Sequence, residues 1–255
     1  MSPMHGGAHV VRRARPLLGT LIEVGLCGTR ASDDARTLAA CDIAFDAIAI
    51  AQACLSRFER GSDIARFNAA AAGTWIDVQA DTDIVLSAAQ RLFDDSDGLF
   101  DVSLGSAPSG WLLRERRLYK LDAAAEIDLG GIGKGHAVDR AVQALQRAGI
   151  VGGWVNAGGD LRSFGKAELE LKLRDEQRGG VVEFGHLHDG AFATSCFGPA
   201  ARSRLSTAQH AARPSHVSVA APSCLMADAL TKVVAACGDV RHPLLAQSCA
   251  QAWLH

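Results

Sequence analysis

The order of patterned segments changes abruptly near Glu126, and this change restricts the fold more than any single motif does. Ahead of it, one alternating segment, Leu17 to Cys27, precedes a series of helical patterns. Asp33 or Asp34 can cap a long helix in which Leu38, Cys41, Phe45, Ile48 and Leu55 fall on one face. Ser62 can cap a short helix carrying Ile64 and Phe67, Trp75 to Val78 patterns as a strand, and Asp81 can cap a helix with Ile84, Ala88 and Leu92. From Glu126 a short strand meets a glycine-rich turn, and a helix with Val138, Val142 and Leu145 stops at Gly149. Short strands are then expected near 151–156, 160–164, 168–173, 181–187, 191–195 and 216–221. A helix from about 225 to 236, a loop with Pro243 and a last apolar segment close the chain. Strands segregated from helices in this way predict an α+β fold with largely antiparallel sheets. No internal repeat and no Pro/Ser/Gly-rich linker divides it.

Composition narrows the possible functions. At 255 residues and 48% apolar side chains the chain suits one soluble unit, at most two. Its core needs no disulfide or structural metal to persist. The formal charge is -2, and the basic clusters Arg12, Arg13, Arg15 and Arg114, Arg116, Arg117 are short and separated, so no nucleic-acid footprint is visible. The best candidate for a membrane span is broken by Asp42, Asp46 and Gln52, short of the ~18 uninterrupted apolar residues that a span needs. Seven cysteines, at 27, 41, 54, 196, 224, 237 and 249, form no Cys-x-x-Cys pair and suit buried free thiols in a reducing compartment. Arg12, Arg13 and Arg15 precede a mildly apolar run, but Glu23 interrupts it, and Leu26 stands before Cys27 where a lipoprotein signal needs a small residue. The expectation is a cytoplasmic protein with a flexible segment over 1–15 and a single domain over 16–255.

The densest chemical signal is Asp128-Leu-Gly-Gly-Ile-Gly-Lys-Gly135. Glycines let a backbone approach a phosphate, and a following helix offers unpaired amides and a positive dipole end. A P-loop would need glycine where Asp128 stands and a hydroxyl where Gly135 stands, and a dinucleotide fingerprint would need glycine at His136, so neither applies. The run is either an anion cradle rimmed by Asp128 and Lys134 or a tight strand-to-helix connection. Asn156-Ala-Gly-Gly-Asp160 is by itself a hairpin. In Met226-Ala-Asp228-Ala-Leu-Thr231-Lys232, Asp228 and Thr231 share a helix face and together could hold magnesium. Equally, Asp228 could meet the helix dipole and pair with Lys232. His186-x-His188 fits a solvent-facing strand edge better than a metal site.

In this order the segments resemble the ApbE family of FAD:protein FMN transferases. Pro16-Leu-Leu18-Gly-Thr20 is similar to the family's opening Met-Gly-Thr strand, and Leu55-Ser-Arg-Phe58 to Asn68 is similar to its "FSRY...SEISRLN" segment. Gly98-Leu-Phe-Asp101 resembles a Gly-x-Phe-Asp motif, Asp128 to Asp139 resembles "DLGGIAKGYAVD", and Ala227-Asp228-Ala-Leu-Thr231 resembles the metal-binding "ADAL(S/T)T" helix. The similarity runs from about residue 16 to 255. It implies an ApbE-like fold in which Leu18, Leu99, Phe100, Asp101, Asp128 and Lys134 contact FAD. It also implies that Asp228, Thr231 and the Gly131 carbonyl hold Mg2+. The implied reaction is magnesium-dependent transfer of the FMN moiety of FAD to a Thr or Ser hydroxyl of an acceptor protein, releasing AMP. The alternatives are FAD hydrolysis to FMN and AMP, and a relative that binds FAD without transferring it. The resemblance identifies no catalytic base. Ser203-Arg-Leu-Ser-Thr-Ala-Gln-His210 stands where the family has "SHIIDPRTG", and Lys232 stands at the second hydroxyl position of the metal helix.

Overall fold

The computed structural model describes residues 10–27, 34–174, 179–197 and 215–255. Its centre is a seven-stranded sheet in which every neighbouring pair is antiparallel. In sequence order the strands of that sheet are β1 (Val10–Leu17), β2 (Thr20–Cys27), β6 (Gly152–Ala157), β7 (Asp160–Gly165), β10 (Ala191–Cys196), β11 (His216–Ala221) and β12 (Gln251–Leu254). A three-stranded sheet holds β3 (Trp75–Asp77), β4 (Trp111–Arg114) and β5 (Arg117–Lys120), and β8 (Glu168–Arg174) pairs with β9 (Val181–His188) as a ribbon. The helices are α1 (Asp34–Leu55), α2 (Asp63–Ala69), α3 (Ala80–Asp95), α4 (Gly133–Arg147), α5 (Cys224–Cys237) and the single-turn α6 (Pro243–Gln247).

Three helices lie across the large sheet. α1 packs on β1 and β2, α4 on β6 and β7, and α5 on β10 and β11, with α4 wedged between the other two. By length and composition α1 could cross a membrane, but it lays Cys41, Ala44, Phe45, Ile48 and Leu55 into the core. Burying the Phe45, Ile48 and Leu55 side chains stabilises the fold by about 1.5–3 kcal/mol each. The α+β architecture and the antiparallel sheets are those expected, and the six strands expected after Gly149 fall within a residue or two of their expected positions, while the last apolar segment forms a seventh, β12.

Several local expectations are corrected. Residues 10–15 belong to β1, in register with β2 from Val10↔Cys27 to Leu17↔Thr20, so they are not a flexible segment. Alternating exposed and half-buried residues let β1 serve as the sheet's outer strand. The hairpin β4–β5 was not expected, because its two-residue turn is Glu115-Arg116, both at positive φ (49 and 58), where glycine or asparagine is the usual signal. Leu38 is 40% and Ile84 47% exposed, so neither belongs to the core faces assigned to them. Asp63 accepts from the Gln79 amide and the Thr82 hydroxyl, both at 2.7 Å, and ties the start of α3 to α2, while Ala88 and Leu92 are buried as expected. Gln79, not Asp81, is the N-cap of α3, and Asp81 is buried. The segment before the glycine turn forms no strand. The Asn68 side chain takes both backbone groups of Ile127 instead, at 2.8 and 2.9 Å, doing for that residue what a neighbouring strand would do. Ser62 caps α2 as expected, accepting from the Ala65 amide. The Asp33 cap and the segment 203–210 lie outside the described residues.

Candidate active site

A cavity of about 350 Å³ opens between the β1–β2 turn, the end of α1 and the glycine turn. Leu18, Gln52, Phe58, Glu59, Asp128, Gly130 and Lys134 are among the residues that line it. Leu18 and Gly19 are the two residues of the β1–β2 hairpin, at φ 53 and 68. A leucine in this left-handed region costs roughly 1–2 kcal/mol. The Gln52 side-chain oxygen holds it there by accepting from the Leu18 amide at 2.6 Å. Gln52 in turn donates to Glu59. Phe58 is 87% exposed at the rim, with the Arg57 guanidinium 5.7 Å from its ring centroid.

Asp128 shapes the glycine turn. One carboxylate oxygen accepts from the Gly130 amide at 2.8 Å and the other from Arg57 at 2.9 Å. The turn runs into α4, whose N-cap, Ile132, has no side chain able to cap it. Lys134, in the first turn of α4, faces the cavity while its ammonium is paired with Asp160, the residue that follows the Gly158-Gly159 turn. Asp160 is 1% exposed, and among the described residues its other oxygen has no hydrogen-bond partner. Burial, and then the neighbouring Asp228 charge, push the Asp160 carboxyl up to about 6. Burial works against the Lys134 ammonium, but Asp228 and Asp160 outweigh it and hold its pKa above the ordinary value.

Asp228 and Thr231 lie directly behind this cradle, both fully buried on α5. Gly135 permits the approach: a Cβ there would come within 2.2 Å of the Cys224 carbonyl oxygen and 2.9 Å of Asp228 Cβ. One Asp228 oxygen accepts from the Gly135 amide at 3.2 Å, at the positive end of α4. The other accepts from the Lys232 ammonium. Burial alone would raise the Asp228 pKa, but Lys232, Lys134 and the Gly135 amide hold it below the usual carboxylate range.

Of the residues expected to bind a ligand, Leu18, Asp128 and Lys134 meet at the cavity. Leu99, Phe100 and Asp101 do not line it. Phe100 is buried in the core, and Asp101 is committed to its own loop, accepting from the Ser103 amide and hydroxyl and from the Gly105 amide. That loop still supports the site, since the Val102 carbonyl accepts from the Asp128 amide at 2.8 Å. Gln52, Arg57, Glu59 and Asp160 were not anticipated. Asp160 carried a sequence signal as the acidic end of the second glycine turn, and Arg57 and Glu59 lie within the family-like segment Leu55 to Asn68, while Gln52 carried none.

The donors expected for magnesium do not fit that ion as they stand. Thr231 donates to the Asp228 carbonyl at 2.7 Å and shares a hydrogen bond with Ser195 at 2.8 Å. The Lys232 side chain lies against Gly131, and its ammonium meets the Asp228 carboxylate, the Asp228 carbonyl and the Ser195 hydroxyl. A cation is already seated among these oxygens. Among the described residues no group of three His, Cys, Asp or Glu side chains offers another metal site.

Fold and site together define an α+β protein with antiparallel sheets and a cavity in which Lys134, at the start of α4, faces the glycine turn. The sequence profile of the ApbE family matches residues 18–117 and 110–253, and the chain belongs to that family. Solved structures share its fold at low identity. The flavin transferase ApbE from Vibrio cholerae superposes with a TM-score of 0.81 at 20% identity, over 97% of this chain and 94% of that one. The Pseudomonas stutzeri flavinyl transferase ApbE, in its apo form, gives 0.76 at 21% identity over 97% and 93%. The ApbE protein from Thermotoga maritima gives 0.80 at 23% identity over 96% and 94%. No curated protein sequence matches the chain.

Proposed function

We propose that the protein transfers the FMN moiety of FAD to a Thr or Ser hydroxyl of an acceptor protein and releases AMP. The observation that carries this reading is Lys134. It is a cation anchored on a buried carboxylate at the start of α4, and it faces a cavity whose rim presents the exposed Phe58 ring. FAD needs both features, a flat face for a ring system and positive charge for a pyrophosphate. Membership of a family whose solved members include flavin transferases supports the same substrate.

In this reaction the acceptor oxygen attacks the FMN phosphorus. A phosphoester bond to the acceptor forms, the bond to the AMP phosphate breaks, and the hydroxyl proton is released. Charge accumulates on the pyrophosphate oxygens as AMP leaves, and positioned cations stabilise it. Lys134 and the α4 N-terminus supply that charge in this chain. Arg57 is held by Asp128 and acts on the ligand through the shape of the turn. The family pattern adds a magnesium ion bound by Asp228, Thr231 and the Gly131 carbonyl; here Asp228 is bonded to the Lys232 ammonium and the Thr231 hydroxyl to the Asp228 carbonyl and Ser195, so no step is assigned to that ion.

Incubation with FAD and a Thr- or Ser-bearing acceptor, followed by AMP release and acceptor mass, tests the proposal. FMN attached to the acceptor with equimolar AMP supports it. AMP and free FMN without a modified acceptor would indicate pyrophosphatase activity, and bound FAD without AMP a binding protein.

A further inference from the structure

Lys232 has no part in the reaction as proposed, yet it is one of the most enclosed cations in the protein, with its side chain 7% exposed. Burying an ammonium is costly unless every donor finds a partner. Lys232 has three N–H groups, and the structure offers three oxygens: the Asp228 carboxylate, the Asp228 carbonyl at 3.0 Å and the Ser195 hydroxyl at 3.0 Å. A carboxylate, a carbonyl and a hydroxyl are also the oxygen types that magnesium takes. The lysine stem closes the remaining side, because a Cβ on Gly131 would lie only 3.4 Å from Lys232 Cε.

Charge points the same way. Asp228 and Asp160 face Lys232 and Lys134, and Asp139 just behind them pairs with Arg162 at 2.5 Å. The cluster is balanced with no added ion. A divalent cation would leave two excess positive charges in a buried site with Lys232 in place, or one if it displaced Lys232, a residue in the middle of the buried helix α5.

We propose that Lys232 is a built-in cation that takes the position of a divalent metal ion in this chain, so that the phosphate cradle assembles and binds its ligand without one. The metal part of this inference is independent of the FAD reading and can be tested with no flavin present. Manganese is the probe, titrated into the protein while free Mn2+ is followed by its electron paramagnetic resonance signal. Native protein should leave Mn2+ free up to about 1 mM, whereas Lys232→Thr, with a hydroxyl and no ammonium, should bind one ion at least about tenfold more tightly. One equivalent bound by native protein at micromolar Mn2+ would overturn the proposal. So would a folded Lys232→Thr with no greater affinity than native protein.

A second measurement needs no variant. FAD affinity of the native protein, read by quenching of flavin fluorescence, should agree within about twofold in magnesium and in excess EDTA. A tenfold loss on chelation would overturn the built-in cation. Absence of FAD binding under both conditions would instead count against the proposed function, with the manganese titration still deciding the role of Lys232.

Discussion

Asp139 and Asp228 cap each other's helices. Asp139 on α4 accepts from the first two amides of α5, those of Cys224 and Leu225, both at 2.9 Å, while Asp228 on α5 accepts from the Gly135 amide in the first turn of α4. Two helix N-termini are thereby brought side by side, each satisfied by the other's carboxylate. The arrangement concentrates positive dipole ends behind the glycine turn and locks Lys134 and Lys232 into neighbouring positions.

Asp139→Ala should therefore be among the most destabilising single changes in the protein. It leaves two amides of α5 and the Arg162 guanidinium without their partner. The expected loss is about 3 kcal/mol, measured by urea denaturation. A loss under about 0.5 kcal/mol would mean that water replaces the carboxylate freely.

Lys134→Ala should weaken FAD binding by about 10- to 100-fold, the equivalent of about 1.5–3 kcal/mol for a charge-assisted contact. It should also lower stability, since Asp160 loses its ammonium while 1% exposed. Adding Asp160→Asn should recover most of the stability and none of the binding. Calorimetry and thermal denaturation on the single and double variants separate the two effects, and recovery of both would make Lys134 a purely structural residue.

The pH dependence of stability should carry the signature of Asp160. Its pKa is raised from 3.8 to about 6, so between those values the folded state holds a proton that the unfolded state has released. The contribution of this group to stability is fully present below about pH 4 and is lost as pH rises through about 6. Asp228, held below the usual range, has the opposite sign: its contribution is present above about pH 4 and lost as pH falls through its folded value. Asp160→Asn should raise stability at pH 7 relative to pH 5 when compared with native protein. Denaturation midpoints at the two pH values measure this, and an unchanged difference would refute the assignment.

Ligand affinity should follow the same group. Protonating Asp160 releases Lys134 from its ion pair, so FAD should bind more tightly at pH 5.5 than at pH 8, with a midpoint near 6. In Asp160→Asn the profile should be flat over this interval. Fluorescence titrations across the range provide the check.

Gly135→Ala should separate the two helices, because the added Cβ meets the Cys224 backbone rather than a movable side chain. About 3 kcal/mol or more of stability should be lost, together with ligand binding. Gly61→Ala, where a Cβ would meet open space, should change stability by less than about 0.5 kcal/mol.

Periodicity and turn chemistry were sufficient, before any coordinates, to place the α+β class, the strands after Gly149, the ends of α4 and α5, and the glycine turn with Asp128 and Lys134 at its rims. These features are local: alternation marks a half-buried strand and a 3.6-residue period marks a helix face, whatever packs against them. Features that depend on partners distant in sequence were not legible. The Glu115-Arg116 hairpin carries no turn residue, the start of α3 is tied to Asp63, and Asn68 does the work of a strand at Ile127. The site divides along the same line. The sequence placed Asp228, Thr231 and Lys232 on one helix turn and left open whether they hold magnesium or pair among themselves. Only the tertiary structure brings Ser195 and Gly131 to Lys232, and Asp160 to Lys134, across separations of 37 and 26 residues in the first and last of these pairs. A buried charge takes its state from every oxygen and ammonium packed around it, and that set exists only once the sheet has brought α4 and α5 together.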